Sequence, residues 1–263
     1  MKTQYAVITG ASSGIGFEFA REFARRGIPS VLVARSQTIL EQLASSLSSE
    51  FSVKSVPFPA DLTHADDRNR LVDFCAAEGF TIEYLVNSAG YGSNGLFPEL
   101  DIEKEIRMTE LNCIALQELS YRFTEIFIRN HGGTIINVAS TASFQPVPFM
   151  ASYAATKSFV LSLSLALRIE LAGSGVTVFA LCPGPVDTNF FRNARMKKPR
   201  RFLRVHPPEF VVRKAFKGLD SGRAFLIVGI LNKVLYYTGS LLPLTFRARV
   251  AGKMFERKAR RRP

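Results

Sequence analysis

The chain has 263 residues, 47% of them apolar and 21% charged; this fits one large α/β domain with a full core and excludes extensive disorder. Its net charge of +12 is unevenly placed: residues 1–189 hold 14 Lys/Arg against 19 Asp/Glu, and residues 190–263 hold 20 against 3. The C-terminal quarter is therefore either a plain solvated basic face or a surface for something anionic, such as a membrane, an acidic ligand or nucleic acid.

Short runs rich in β-branched residues predict strands at Tyr5–Thr9, Ser30–Ala34, Val53–Pro57, Ile82–Asn87, Gly133–Val138, Val176–Cys182 and Ala224–Val228. Between them, amphipathic segments predict helices over Phe17–Arg26, Ile39–Glu50, Ala65–Glu78, Glu103–Asn130 and Ser152–Ala172. Strands separated by helices imply βαβ crossovers. The expected fold is a single α/β domain, a Rossmann-like doubly wound parallel sheet of about seven strands. No linker divides the chain. The expected layout is one α/β domain over 1–232, with a basic helical extension over 233–263; within the domain the basic segment 189–208 follows a strand end, where loops of open α/β sheets close over ligands, and reads as a lid.

The first strand ends in TGASSGIG, which places Gly10, Ser12, Ser13, Gly14, Ile15 and Gly16 where a strand turns into a helix. Residues without Cβ permit the tight turn and the close approach of a pyrophosphate, and the helix N-terminus supplies free N–H donors and partial positive charge. After the second strand comes Arg35, with no acid before Glu41. A guanidinium suits a ribose 2′-phosphate, whereas a carboxylate would suit the 2′-hydroxyl, so NADP(H) is the expected cofactor. Further along, YAATK puts Tyr153 and Lys157 on one helical face. An ammonium beside a phenol is expected to lower the phenol's pKa toward the range useful for acid–base catalysis.

The GxxxGxG spacing with YxxxK resembles the classical short-chain dehydrogenase/reductase family, and other segments match in order. The resemblance implies catalytic roles for Asn112 in ELNCIA, Ser140 in INVAS, Tyr153 and Lys157. Ser140 would position the substrate oxygen and Tyr153 would exchange the proton. Lys157 would also hold the nicotinamide ribose, and Asn112 would support the proton relay. Asp61 and Leu62, in ADL, resemble the adenine-binding position. Asn87, Ala89 and Gly90, in NSAG, resemble the motif beside the cofactor, with Ser88 departing from the usual Asn. Pro183, Gly184, Val186 and Thr188 resemble the PG…T segment that closes over the nicotinamide, Thr188 being matched to its carboxamide. The implied activity is hydride exchange between NADP(H) and a carbonyl or secondary alcohol, in a homodimer or homotetramer.

The segments expected to wall the substrate side hold Phe144, Val147, Phe149, Met150, Phe190, Phe191 and Met196, which predicts an apolar ketone, aldehyde or 3-oxoacyl substrate. Lys197, Lys198, Arg200, Arg201 and Arg204 would meet the phosphates of an acyl carrier, or would be solvated. The apolar stretch Leu231–Leu244 with its basic flank has the composition of a membrane-surface anchor, and equally of a subunit contact. The uncharged run Val234–Phe246 is too short and too broken, by Gly239 and Pro243, to span a bilayer. No secretory leader precedes the first strand, so the expected location is cytoplasmic, with peripheral membrane contact left open. Cys75, Cys113 and Cys182 read as core thiols, and His64, His131 and His206 show no ligand spacing, so no metal is expected. Two other readings exist. A non-catalytic NADP(H)-binding sensor would have lost Tyr153 or Lys157, and nucleic-acid binding is supported by charge alone.

Overall fold

The structure is a computed structural model that describes residues 3–194, 196 and 204–259, with only the backbone described for 254–259. Seven strands form one parallel sheet: β1 (Gln4–Thr9), β2 (Ser30–Ala34), β3 (Val56–Pro59), β4 (Thr81–Asn87), β5 (Gly133–Val138), β6 (Val176–Cys182) and β7 (Phe225–Ile227). Their order is β3-β2-β1-β4-β5-β6-β7, and every pairing is parallel. The sequence direction reverses between β1 and β4. In open α/β sheets ligands bind at that switch point, outside the carboxyl ends of the strands.

The near-continuous apolar strands follow from burial on both faces. In β1, Ala6 and Ile8 face one core with Phe19 and Phe23, while Val7 faces the other with Phe123 and Phe127. The first core is covered by α1 (Gly14–Arg25), α2 (Gln37–Phe51) and α8 (Pro208–Asp220), and the second by α3 (Ala65–Ala77) and α5 (Leu116–Arg129). The three cysteines are buried and unpaired.

Three expected boundaries shift. Strand β3 begins at Val56, not Val53, because α2 runs on to Phe51 and Ser52 ends it in a left-handed conformation at φ 57°. The helix expected over Glu103–Asn130 is divided into α4 (Ile102–Thr109), a π turn over Glu110–Ala115, and α5. The C-terminal extension is two helices, α9 (Ile230–Ser240) and α10 (Leu244–Ala259), so the expected boundary at 232/233 falls inside α9. Of the lid, α7 (Phe190–Asn193) is described, and a bridge between Val186 and His206 joins its two ends. Lys197, Lys198, Arg200 and Arg201 lie outside the described residues.

Candidate active site

The glycine turn after β1 is built for something that needs backbone donors. Gly10 and Gly14 have positive φ, 69° and 60°. A Cβ on Gly14 would lie 2.8 Å from the Thr188 methyl, and one on Gly16 would lie 2.3 Å from the Gly10 carbonyl oxygen. Ser13, exposed at the N-cap of α1, makes no side-chain cap bond, and the first turn carries no acid. The N-terminal N–H groups of α1 therefore lack a side-chain acceptor, which fits an anionic ligand. Ser12 and Ile15 are partly buried, Ile15 against the first core.

The other expected cofactor residues gather at the same strand ends. Thr9 Oγ1 accepts from the backbone N–H groups of Ser88 and Ala89, both at 3.0 Å, so NSAG is fastened to β1. Asn87 donates to Ser120 (3.1 Å) and Asn137 (2.9 Å), joining β4 to β5 and α5. Arg35 is exposed beyond β2. Asp61 accepts from Thr63 N–H and Oγ1 at 3.1 and 2.8 Å. Burial pushes the Asp61 carboxyl upward, but these bonds, with Arg35 and His64, hold it below its ordinary value. Leu62 is buried beside it. Pro183 O accepts from Thr141 N–H at 2.9 Å, and Thr188 Oγ1 accepts from Phe190 N–H at 3.2 Å. Between the glycine turn and the lid lies a cavity of about 390 Å³ lined by Gly14, Glu18, Thr188, Asn189, Phe191 and Arg192.

Tyr153 and Lys157 lie one turn apart on α6 (Ala151–Glu170), and both are buried. Ser140, just beyond β5, accepts from Ala142 N–H at 3.1 Å, and its side chain acts on the Tyr153 hydroxyl to lower its pKa. Lys157 Nζ donates to Val138 O at 2.8 Å. Asn112, in the π turn, donates to Tyr91 O and Thr156 Oγ1, both at 3.0 Å, and accepts from Tyr91 N–H at 3.2 Å. Thr156 Oγ1 in turn donates to Tyr153 O at 2.8 Å. A Cβ on Gly90 would lie 2.8 Å from Asn112 Oδ1 and 3.5 Å from Lys157 Nζ, so the absent side chain leaves room where these groups meet. The four expected catalytic residues are thus brought together.

One expectation fails in this arrangement. Lys157 does not lower the Tyr153 pKa; burial pushes the hydroxyl up to about 12, and only the Ser140 side chain opposes it. Burial also pulls the Lys157 ammonium down to about 8, against Cys113 and Cys182. The reason is burial: desolvation dominates at both groups, while the ammonium's hydrogen bond goes to the Val138 carbonyl and not to the phenol.

The apolar wall divides. Met150 and Val147 are buried with Tyr153, packed by Phe190 and Met196. The Phe190 ring stands 5.2 Å from the Tyr153 ring, and Phe191 meets Phe190 edge-on. Phe149 takes φ 67°, and its carbonyl accepts from Gly95 N–H at 2.9 Å. Phe144 is not brought to this group; it packs on Tyr236 at 4.3 Å and Phe225 at 6.1 Å. Sequence reasoning missed Gly92, where a Cβ would meet Phe190 at 2.7 Å and Tyr153 at 3.0 Å. It also missed Thr156, and Asn232, which stands against Gly184 and donates to Val228 O at 2.7 Å. Thr156 lies within YAATK and was open to being found; Asn232 had no local signal.

The family model described as short chain dehydrogenase matches residues 4–199. A very-long-chain 3-oxoacyl-CoA reductase from Bos taurus is 31% identical over 220 residues, 81% of this chain and 68% of that protein. A short-chain dehydrogenase from Sphingobium yanoikuyae in complex with NADPH superposes with a TM-score of 0.82 at 34% identity, covering 90% of this chain and 93% of that one. A 3-ketoacyl-(acyl-carrier-protein) reductase from Brucella melitensis complexed with NADH has a TM-score of 0.77 at 28% identity, covering 86% and 97%.

Proposed function

This chain belongs to the short-chain dehydrogenase family, and from that membership we propose that it is an NADP(H)-dependent reductase of apolar ketones, with 3-oxoacyl thioesters as the leading substrate class. The observation that carries the proposal is buried Tyr153, one helical turn from buried Lys157 on α6 and set beneath an apolar wall of Val147, Met150 and Phe190. A phenol held protonated there is a proton donor, and the wall excludes water from the acceptor.

When bound, the nicotinamide supplies the hydride that the carbonyl carbon gains. Gly10, Gly14, Gly16 and the α1 N-terminus would hold its pyrophosphate, Arg35 the 2′-phosphate, Asp61 the adenine end, and Thr188 the carboxamide. Ser140 Oγ and Tyr153 Oη orient the substrate oxygen and stabilise its developing charge. Tyr153 Oη–H then gives that oxygen its proton. Lys157, whose ammonium releases a proton near pH 8, returns one to Tyr153 and is itself reprotonated from solvent, with Asn112 supporting that relay as a hydrogen-bonding group. Support for the substrate class comes from two relatives named for 3-oxoacyl substrates, carried by CoA in one and by a carrier protein in the other.

The test is NADPH and NADH consumption across chain-length series of ketones, aldehydes and 3-oxoacyl thioesters. Turnover rising with chain length and preferring NADPH is expected, with Arg35→Ala raising the NADPH KM on the order of tenfold and leaving that for NADH unchanged. Cofactor binding without turnover of any carbonyl would overturn the reductase in favour of a sensor. Equal use of NADH would overturn the role of Arg35.

A further inference from the structure

The C-terminal helices carry a surface that the reduction does not use. Their inner side is fastened to the domain. Asn232 is buried, the Tyr236 ring packs on Phe144, Arg247 Nη1 donates to Phe144 O at 3.0 Å, and Ala251 is buried. Their outer side is apolar and bare. Ile230 is 83% and Leu241 86% exposed, with Val234 and Tyr237 exposed between them at helical spacing, so α9 and its end present one continuous stripe. Among the described residues, half of the exposed large apolar side chains fall within Ile230–Val250. A contiguous apolar patch of this kind marks an interaction surface.

Charge identifies the partner. From residue 221 to residue 255 the sequence has no Asp or Glu, while, besides the inward Arg247, Lys233, Arg249 and Lys253 lie along the same helices. Arg249 and Lys253 are exposed. Self-association through this face would bring together two surfaces that carry cations and, over residues 221–255, no acid to pair with them. An anionic lipid surface instead accepts both parts, the apolar stripe at the headgroup–acyl boundary and the cations among the phosphates. No helix among the described residues is long and apolar enough to cross a membrane. We propose that the outer face of α9–α10 docks this protein, lying flat, on an anionic lipid surface. The docking does not depend on the reductase reading.

Co-sedimentation of the full chain with vesicles tests it, using phosphatidylcholine alone and phosphatidylcholine with about one-third phosphatidylglycerol. Pelleting is expected only with the anionic vesicles. Binding should weaken on the order of tenfold in high salt or in Arg249→Glu/Lys253→Glu. Val234→Asp/Leu241→Asp should abolish pelleting while keeping the wild-type circular dichroism and melting temperature, since neither side chain is buried. Failure to pellet with anionic vesicles overturns the proposal, as does undiminished pelleting of the aspartate variant. Sedimentation velocity gives a further check. A wild-type oligomer that the aspartate variant dissociates, with no vesicle binding, would mean that a second copy covers this face. Vesicle-independent binding to duplex DNA, unchanged in the aspartate variant, would assign the cations to nucleic acid instead.

Discussion

Burial acts in opposite directions on Tyr153 and Lys157, raising the phenol to about 12 and lowering the ammonium to about 8. Each is thereby kept nearer its neutral form. The lysine has a measurable consequence for stability. In the unfolded chain its pKa is about 10.5, so below pH 8 it is charged in both states and the folded state bears the full desolvation cost, on the order of 3 kcal/mol. Between pH 8 and 10.5 the unfolded state binds the extra proton and this cost fades as pH rises. Lys157→Met removes it. The variant's gain in melting temperature over the wild type should therefore be largest below pH 8 and shrink toward pH 10.5. A difference that stays constant across that window would show that burial does not shift this lysine. YAATK in the sequence indicated that the two groups share a helical face. It did not indicate that Val138 O would take the ammonium, because that partner comes from β5.

At the scale of elements, the parallel strands were legible because both faces are buried, and the glycine turn because its spacing follows a strand. The π turn over Glu110–Ala115 was not legible, since its residues continue an ordinary helical pattern. Its effect is to bring Asn112 to Tyr91 and Thr156, and extra-wide turns of this sort recur at functional sites. Asn112→Leu would leave the Tyr91 carbonyl and amide without this partner. It should destabilise the protein by about 1–3 kcal/mol in urea titration; an unchanged midpoint would mean that these bonds hold nothing. In the glycine turn, Gly14→Ala forces φ 60° on a residue with a Cβ and drives that Cβ into Thr188. Cofactor affinity, read by the dinucleotide's fluorescence, should fall at least about tenfold. Wild-type affinity would remove this turn from the cofactor site.

For the whole molecule, strand order does most of the positioning. The reversal between β1 and β4 brings the glycine turn and NSAG together at the carboxyl-end edge of the central strands, and β5 and β6 deliver Ser140 and the Pro183–Thr188 segment alongside. Sequence spacing alone could place those motifs in order but not separate the wall residues. Phe144 belongs with α9, while Phe190 belongs with Tyr153, and only the packing of the C-terminal helices decides this. The uneven charge likewise separates a mildly acidic body, with 14 Lys/Arg against 19 Asp/Glu over residues 1–189, from a basic end. The central claim is that Tyr153 delivers the proton at this edge, and Tyr153→Phe tests it most directly, because it removes the hydroxyl and keeps the ring that packs on Phe190. NADPH binding should match the wild type while turnover of the best carbonyl substrate falls about 10²–10⁴-fold. A variant that binds and turns over like the wild type would contradict the account.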